Sequence, residues 1–205
     1  MDENVKKGTT TIGIKCTDAV ILASESKSTL GSLIASKVAK KVYQVDDKIA
    51  VTTAGGAGDA QQLVRVLKAE INLYKLSRNN EITVRAVNTL LSNVLQGNRY
   101  YPIMAMLILG GHDRSGYHVY SLDPVGGGDE DDYVSTGSGS PFAYGVLEDR
   151  YKKGMKKEDG IKLAIDAIKA AKERDIFSGG IKIQVCVIDE KGMKFLNEEE
   201  IKSFV

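Results

Sequence analysis

The sequence has little of what disulfide-stabilised or metal-binding proteins rely on. Its 205 residues include no Trp, three Pro, two Cys and two His. Cys16 and Cys186 both lie in apolar, strand-like runs, so we expect buried, reduced thiols that pack as small hydrophobic groups. A disulfide between them would need neighbouring strands and an oxidising compartment. No Cys or His pair has the spacing of metal ligands.

Charge of one sign and long apolar runs are also missing. Lys and Arg number 28 against 27 Asp and Glu, a formal net charge of +1, which gives no field to attract nucleic acid or an anionic membrane. No segment reaches the roughly 20 apolar residues of a membrane span. The N-terminal MDENVKKG lacks the apolar core of a signal peptide. We therefore expect a soluble, cytoplasmic protein that binds neither nucleic acid nor membrane.

Apolar periodicity predicts strands and helices that arrive in pairs. Alternation of apolar residues or continuous apolar runs predict eight strands, over 9–16, 19–24, 41–45, 49–54, 103–111, 117–121, 182–188 and 194–196. Apolar spacing of three and four residues predicts four helices, over about 59–74, 84–97, 141–151 and 158–174. Residues 123–132, in which three Gly are followed by four acids, are predicted to form a surface loop. This order argues against a doubly wound fold and predicts one α+β domain, with sheets inside and helix pairs outside.

Familiar catalytic motifs fail when their residues are checked. Gly56 and Gly58 follow a predicted strand, but Gln61 stands where a dinucleotide-binding loop has its third glycine. Ser138 lies among glycines without matching the G-x-S-x-G nucleophile motif. The two histidines, His112 and His118, flank a predicted hairpin turn, which leaves a serine triad without an obvious base.

A hydrolase that lacks a histidine base can use a free α-amine instead. The pKa of an α-amine in model peptides is about 7.7–8.0, close to the operating pH that a general base needs. An N-terminal threonine therefore combines nucleophile and base in one residue. Here Thr9, Thr10 and Thr11 follow Gly8 at the start of the first predicted strand. The same three residues are also ordinary β-branched strand formers, so composition alone leaves both interpretations open.

Short motifs, in order along the chain, resemble those of archaeal proteasome β subunits. The string Lys7-Gly8-Thr9-Thr10-Thr11-Ile12-Gly13 resembles their processing site and mature N-terminus. The further motifs are Ala23-Ser24-Glu25, Ala39-Lys40-Lys41, Thr53-Ala54-Gly55, Gly58-Asp59-Ala60-Gln61, Thr136-Gly137-Ser138-Gly139-Ser140-Pro141 and Arg174-Asp175-Ile176-Phe177-Ser178-Gly179-Gly180. Each is modest alone, but together they cover the chain from Gly8 to about Asn197. The resemblance implies the fold of N-terminal nucleophile hydrolases, a four-layer αββα sandwich of two antiparallel sheets between helix pairs.

The resemblance also implies a reaction. The chain is expected to be a catalytic subunit of the proteasome core particle, a threonine endopeptidase that degrades unfolded proteins. Thr9 would be the nucleophile and its α-amine the base, once autocatalytic cleavage after Gly8 frees it. Residues 1–8 would then be a propeptide and residues 9–205 a single catalytic domain. No metal or organic cofactor is implied.

Further site residues are carried over by their positions in the motifs. Lys41 resembles the active-site lysine whose charge lowers the pKa of the threonine, and Glu25 the acid that pairs with this lysine. Gly55 resembles the oxyanion-hole residue. The supporting hydrogen-bond network is expected from Ser138, Asp175 and Ser178. In that network, Ile176 and Phe177 replace smaller residues expected between Asp175 and Ser178.

The substrate-binding residues follow from the same resemblance. Thr29 resembles the residue whose backbone pairs with an extended substrate. Side-chain recognition is expected from Ser28, Ala39, Thr53, Ala57 and Gln61. Thr53 stands where we expect a larger apolar residue, which leaves room in the pocket without adding charge. We therefore predict cleavage after neutral, apolar side chains.

The resemblance implies partners and leaves rivals to consider. Family members assemble as stacked seven-membered rings of α and β subunits, with an ATPase unfoldase that feeds them unfolded proteins. One rival is a non-catalytic β-type ring subunit, which the complete set of six catalytic residues disfavours. Another is an α-type ring subunit, which would carry a longer N-terminal extension. The third is a bacterial relative with six-membered rings, which the chain length and the motif 136–141 disfavour.

Overall fold

The structure, a computed structural model, describes residues 8–204. Its strands are β1 (Thr11–Lys15), β2 (Val20–Glu25), β3 (Ser28–Leu30), β4 (Leu33–Ser36), β5 (Val42–Asp46), β6 (Ile49–Gly55), β7 (Ala105–Asp113), β8 (Gly116–Leu122), β9 (Gly128–Glu130), β10 (Tyr133–Thr136), β11 (Ile183–Asp189) and β12 (Gly192–Phe195). Its helices are α1 (Ala57–Arg78), α2 (Val84–Gly97), α3 (Ser140–Arg150), α4 (Lys157–Arg174) and α5 (Glu198–Lys202).

Four layers build the domain, as the resemblance predicts. One antiparallel sheet has the strand order β10-β1-β2-β11-β12, and the other has the order β5-β6-β7-β8-β9. The two sheets pack face to face, α1 and α2 cover the outer face of the second sheet, and α3 and α4 cover the first. Each of the three layer boundaries has its own buried apolar cluster. The predicted αββα architecture is confirmed.

The period-two geometry of strands explains why the central ones are apolar throughout. All six residues of β2 are buried. Because successive side chains point to opposite faces, Ile21 and Ala23 pack under α3 and α4, while Val20 and Leu22 pack between the sheets. A strand covered on both faces has no polar side to show in its sequence.

Several elements differ from the sequence-based prediction. Residues 123–132 are not one loop, because Gly128–Glu130 pairs with β8 as an edge strand. Its three exposed residues carry no apolar alternation, so periodicity could not reveal it. The strands β3, β4 and β10 and the short α5 were also absent from the prediction, since runs of three to five residues are too short to show a period. On β7, Met106 is 41% exposed, so the strand is buried on both faces only from Leu107 to Gly111.

The composition bears on the cysteines, on membrane spans and on metal sites, and the structure describes all three. Cys16 and Cys186 are buried free thiols, as predicted, and they belong to different apolar clusters. Burial raises the pKa of each thiol to about 12. Within residues 8–204, no helix is long and apolar enough to cross a bilayer. The same residues contain no cluster of three or more His, Cys, Asp or Glu side chains able to hold a metal ion.

The topology brings the ends of several strands and of α4 together at one edge of the sandwich. Thr9 lies just before β1, beside the end of the antiparallel neighbour β2, which is Glu25. Lys41 precedes β5, and Gly55 ends the adjacent β6. The C-cap of α4, Asp175, reaches the same region. Polar groups from both sheets and from α4 therefore meet where the strands stop.

We predict that the core between the sheets contributes strongly to stability. Ile108 of β7 is fully buried there, so Ile108→Ala should lower the free energy of unfolding by about 2–5 kcal/mol. Met106→Ala, two residues away on the same face of the strand but 41% exposed near its end, is the matched control and should cost much less. Urea unfolding followed by circular dichroism measures both, and equal losses would contradict the layer assignment.

Candidate active site

Thr9, Glu25 and Lys41 form one buried cluster at this edge. The Lys41 ammonium donates a hydrogen bond to Thr9 Oγ1 and forms an ion pair with Glu25 Oε1. The Thr9 hydroxyl in turn donates to Glu25 Oε1. Lys41 Nζ also donates to the carbonyl of Lys27, at 2.6 Å. The hydroxyl of Thr9 therefore touches both an ammonium and a carboxylate.

Backbone N–H groups satisfy the rest of the Glu25 carboxylate. Oε2 accepts from the amides of Lys27, at 2.6 Å, and Gly179, at 3.0 Å. Oε1 accepts from the amide of Thr10, at 3.3 Å. Glu25 has no exposed surface, and a buried carboxylate is tolerated only when its oxygens are paired in this way. Three separate segments of backbone thus depend on one side chain.

Burial sets the electrostatics of Lys41. Loss of solvent lowers the pKa of its ammonium, while the charge of Glu25 and the hydrogen bond to it act in the opposite direction. The nearby charge of Lys27 lowers the pKa of Lys41 further. A lysine with a lowered pKa gives up its proton more readily than a surface lysine, as groups that exchange protons during catalysis must.

A second hydrogen-bond network holds the backbone of Thr9 and the side chain of Thr10. The hydroxyls of Ser138 and Ser178 both donate to Asp175 Oδ2, each at 2.6 Å. Ser178 Oγ lies 2.6 Å from Thr10 Oγ1, and Ser138 Oγ lies 3.4 Å from the Thr9 carbonyl oxygen. Asp175 therefore links α4 to the segment that carries Thr9.

A pocket of about 160 Å³ opens beside Thr9. Gly55 and all six predicted substrate-binding residues line it, namely Ser28, Thr29, Ala39, Thr53, Ala57 and Gln61. The predicted catalytic residues Ser138, Asp175 and Ser178 lie on the other side of the Thr9 backbone. The structure thus brings every predicted site residue into one region.

Sequence reasoning did not name every residue around this pocket. Lys27, Lys40, Tyr43 and Ala60 also line it. Ala60 could have been found, because it lies one helical turn after Ala57 on the same face of α1. Lys27 gave no signal, since it acts on Glu25 and Lys41 through its backbone N–H and carbonyl.

Two glycines at the site are there because nothing larger fits. Gly55 has a φ of +132°, and a Cβ at this position would overlap the carbonyl oxygen of Met104. A Cβ on Gly8 would overlap Phe177 and Ser138 Oγ. In this chain Gly8 remains joined to Thr9, so the Thr9 nitrogen is an amide. The rest of the predicted propeptide lies outside the described residues.

Comparison with known proteins places this geometry in a family. A model of the family described as "Proteasome subunit" matches residues 5–188. The protein named proteasome subunit beta of Methanosarcina mazei is 54% identical over 198 residues, which cover 96% of this chain and 94% of that protein. The proteins of that name from Ferroglobus placidus and Methanocaldococcus fervens are each 50% identical over 204 residues. The Ferroglobus match covers 99% of this chain and 97% of that protein. The Methanocaldococcus match covers 98% of this chain and 91% of that protein.

The chain therefore belongs to the proteasome subunit family, among its β subunits. It is a threonine-type endopeptidase of the core particle, as the sequence motifs predicted.

We predict strong coupling between Glu25 and Lys41 in stability. Glu25→Gln or Lys41→Met alone leaves a buried charge without its partner, which should cost about 3–5 kcal/mol. The double variant should lose less than the sum, because the two changes remove one interaction. Urea unfolding of all four proteins at neutral pH measures the coupling. The exposed pair Lys182–Glu198, 3.0 Å apart, is the control and should show almost none. Additive losses at Glu25 and Lys41 would contradict the buried pair.

Proposed function

We propose that Thr9 is the nucleophile and that the chain frees it by cutting itself after Gly8. Residues 1–8 are then a propeptide, and residues 9–205 the mature catalytic domain. One observation carries the proposal: Thr9 Oγ1, at the edge of the pocket, bonds both the Lys41 ammonium and the Glu25 carboxylate. The carboxylate can accept the hydroxyl proton, and the ammonium can donate a proton to the leaving nitrogen.

Self-cleavage begins with the attack of Thr9 Oγ1 on the carbonyl carbon of Gly8. The new C–O bond forms as the C–N bond to Thr9 breaks, and the leaving nitrogen takes up a proton. Water then hydrolyses the ester, which leaves a carboxylate on Gly8 and restores the Thr9 hydroxyl. The product carries a free α-amine on Thr9, the general base that was missing before the cut.

Turnover of a peptide repeats the same attack on a substrate carbonyl. The α-amine of Thr9 accepts the hydroxyl proton, and the positive charge of Lys41 favours the deprotonated oxygen. The N–H of Gly55 stabilises the tetrahedral oxyanion, while the backbone of Thr29 pairs with the extended substrate. The peptide C–N bond breaks, the leaving amine takes the proton, and water releases the acyl group from Thr9.

We infer that the chain works inside an assembly. Its relatives are named as β subunits of the proteasome, and by that likeness it joins α and other β subunits in stacked seven-membered rings. An ATPase unfoldase would deliver unfolded proteins to the particle in the cytoplasm. Large apolar side chains exposed on the isolated chain, including Leu33, Leu76 and Tyr101, suit surfaces that assembly covers.

The intact mass of the assembled particle tests the nucleophile. We expect co-expression with an α-type partner to give a β chain that starts at Thr9 and gains the mass of a peptide epoxyketone. This inhibitor reacts with the hydroxyl and the free amine together. Thr9→Ala should stay full length and unlabelled, whereas Thr89→Ala, which changes an exposed threonine on α2, should behave like the wild type. A full-length, unlabelled wild-type chain in an assembled particle would contradict both the cut after Gly8 and Thr9 as the nucleophile.

The pocket predicts the preferred cleavage site. Small uncharged residues, Ala39, Thr53, Ala57 and Ala60, contribute to its lining. We expect reporters with a leucine or phenylalanine before the cleaved bond to be cut about 10-fold or more faster, by kcat/KM, than those with an acidic or basic residue. Thr53→Leu should reduce cleavage after phenylalanine more than cleavage after alanine, since it fills the pocket. A preference for charged residues would contradict the apolar pocket.

A further inference from the structure

Lys41 lies in a segment whose residues belong to no helix and no strand. Residues 37–41 form neither helix nor strand, and they connect β4 to β5. Backbone groups in such a segment still need hydrogen-bond partners when they are buried. The partners therefore come from elsewhere, and one side chain supplies three of the bonds around Lys41.

That side chain is Gln184, on β11 of the first sheet. Its Nε2 donates to the carbonyl of Ala39, at 2.7 Å. Its Oε1 accepts from the amide of Lys41, at 3.1 Å, and from the amide of Val42, at 3.4 Å. A single carboxamide thus bonds the backbone on both sides of Lys41.

The contacts demand both halves of the carboxamide. The carbonyl of Ala39 needs a donor and the amides of Lys41 and Val42 need an acceptor, and a glutamine offers both at one side-chain end. Leucine has similar bulk and offers neither, while glutamate keeps only the acceptor. Other bonds also hold the segment, including those from the Ala39 amide to the Ser26 carbonyl, from Tyr43 Oη to the Lys40 carbonyl and from the Thr53 amide to the Lys41 carbonyl.

The two sides of this segment face different parts of the site. Ala39 lines the pocket, and the Lys41 ammonium bonds the Thr9 hydroxyl. Gln184 itself is fixed, because β11 pairs with β2 and places Gln184 opposite Ser24, one residue before Glu25. The glutamine therefore fixes the positions of Ala39 and Lys41 relative to the sheet that carries Glu25.

We propose that Gln184 is a positioning residue that sets Lys41 against Thr9 through its Oε1 and sets the Ala39 wall of the pocket through its Nε2. The proposal rests on the proposed function, in which Lys41 acts on Thr9. Gln184 touches no reacting atom and acts only through the backbone it holds.

Two substitutions separate the halves of the carboxamide. Gln184→Leu removes all three bonds, so we expect kcat for an apolar reporter to fall about 10- to 100-fold, the effect of a misplacement near 1 Å. Gln184→Glu keeps the acceptor for Lys41 and loses the donor for Ala39. It should raise KM several-fold and leave kcat within about threefold of the wild type. A role in folding alone would not split kcat from KM between these two variants.

Two controls keep the comparison fair. Gln62→Leu makes the same chemical change on the exposed face of α1, where Gln62 only accepts from Arg65, and should leave kinetics unchanged. Ser92→Ala removes a part-buried bond to the Gly126 carbonyl, outside the pocket lining and the hydrogen-bond networks of the site, and shows what a comparable stability loss does to activity. All variants are measured in the assembled particle.

Amide hydrogen exchange of residues 39–42 tests whether Gln184 holds this segment, without relying on activity. We expect faster exchange at Lys41 and Val42 in Gln184→Leu, and at neither in the control variants. Unchanged exchange would overturn the proposal, and so would faster exchange with wild-type kcat and KM. If the wild type carries no reactive Thr9, the proposed function fails instead, and the exchange result still shows whether Gln184 holds the segment.

Discussion

The buried ion pair between Glu25 and Lys41 is the constraint on which the rest of the site depends. Two charges removed from water are tolerated only when their remaining oxygens and protons are bonded. Glu25 meets this condition with the amides of Thr10, Lys27 and Gly179, and Lys41 meets it with the Lys27 carbonyl and the Thr9 hydroxyl. Since these groups come from separate segments, satisfying one ion pair fixes their relative positions.

The layered fold stabilises that arrangement because the segments are ends of rigid elements. Glu25 is the last residue of β2, which is buried on both faces between α4 and the second sheet. Asp175 caps α4, and its carboxylate holds Ser138 and Ser178. Groups on such ends cannot move far without disturbing a packed core. The packing of the sandwich therefore holds the groups around Thr9 in fixed positions.

Sequence revealed the parts of this design that repeat or carry distinctive side chains. Long periodic runs gave the central strands and four helices, and ordered motifs gave the layers and the residues gathered at the site. It could not reveal β9, whose exposed residues show no alternation. Nor could it reveal the backbone roles of Lys27 and Gly179, because a carbonyl or an N–H is present at almost every position and leaves no mark in the sequence. Gln184 was hidden for a related reason: a lone polar residue in a strand has no pattern, and its value appears only against the segment that it bonds.

The chain with Gly8 still joined to Thr9 shows how the proposed self-cleavage and peptide turnover can share one site. The Thr9 hydroxyl already contacts Lys41 and Glu25 while its nitrogen is still an amide, so these contacts do not wait for a free amine. Gly8 fits against Phe177 and Ser138 only because it has no side chain. In the proposed mechanism, Lys41 and Glu25 serve the hydroxyl in both reactions, and the α-amine enters only after the first. In that mechanism the ion pair is complete before the proposed propeptide leaves, so the folded sandwich comes before the free nucleophile.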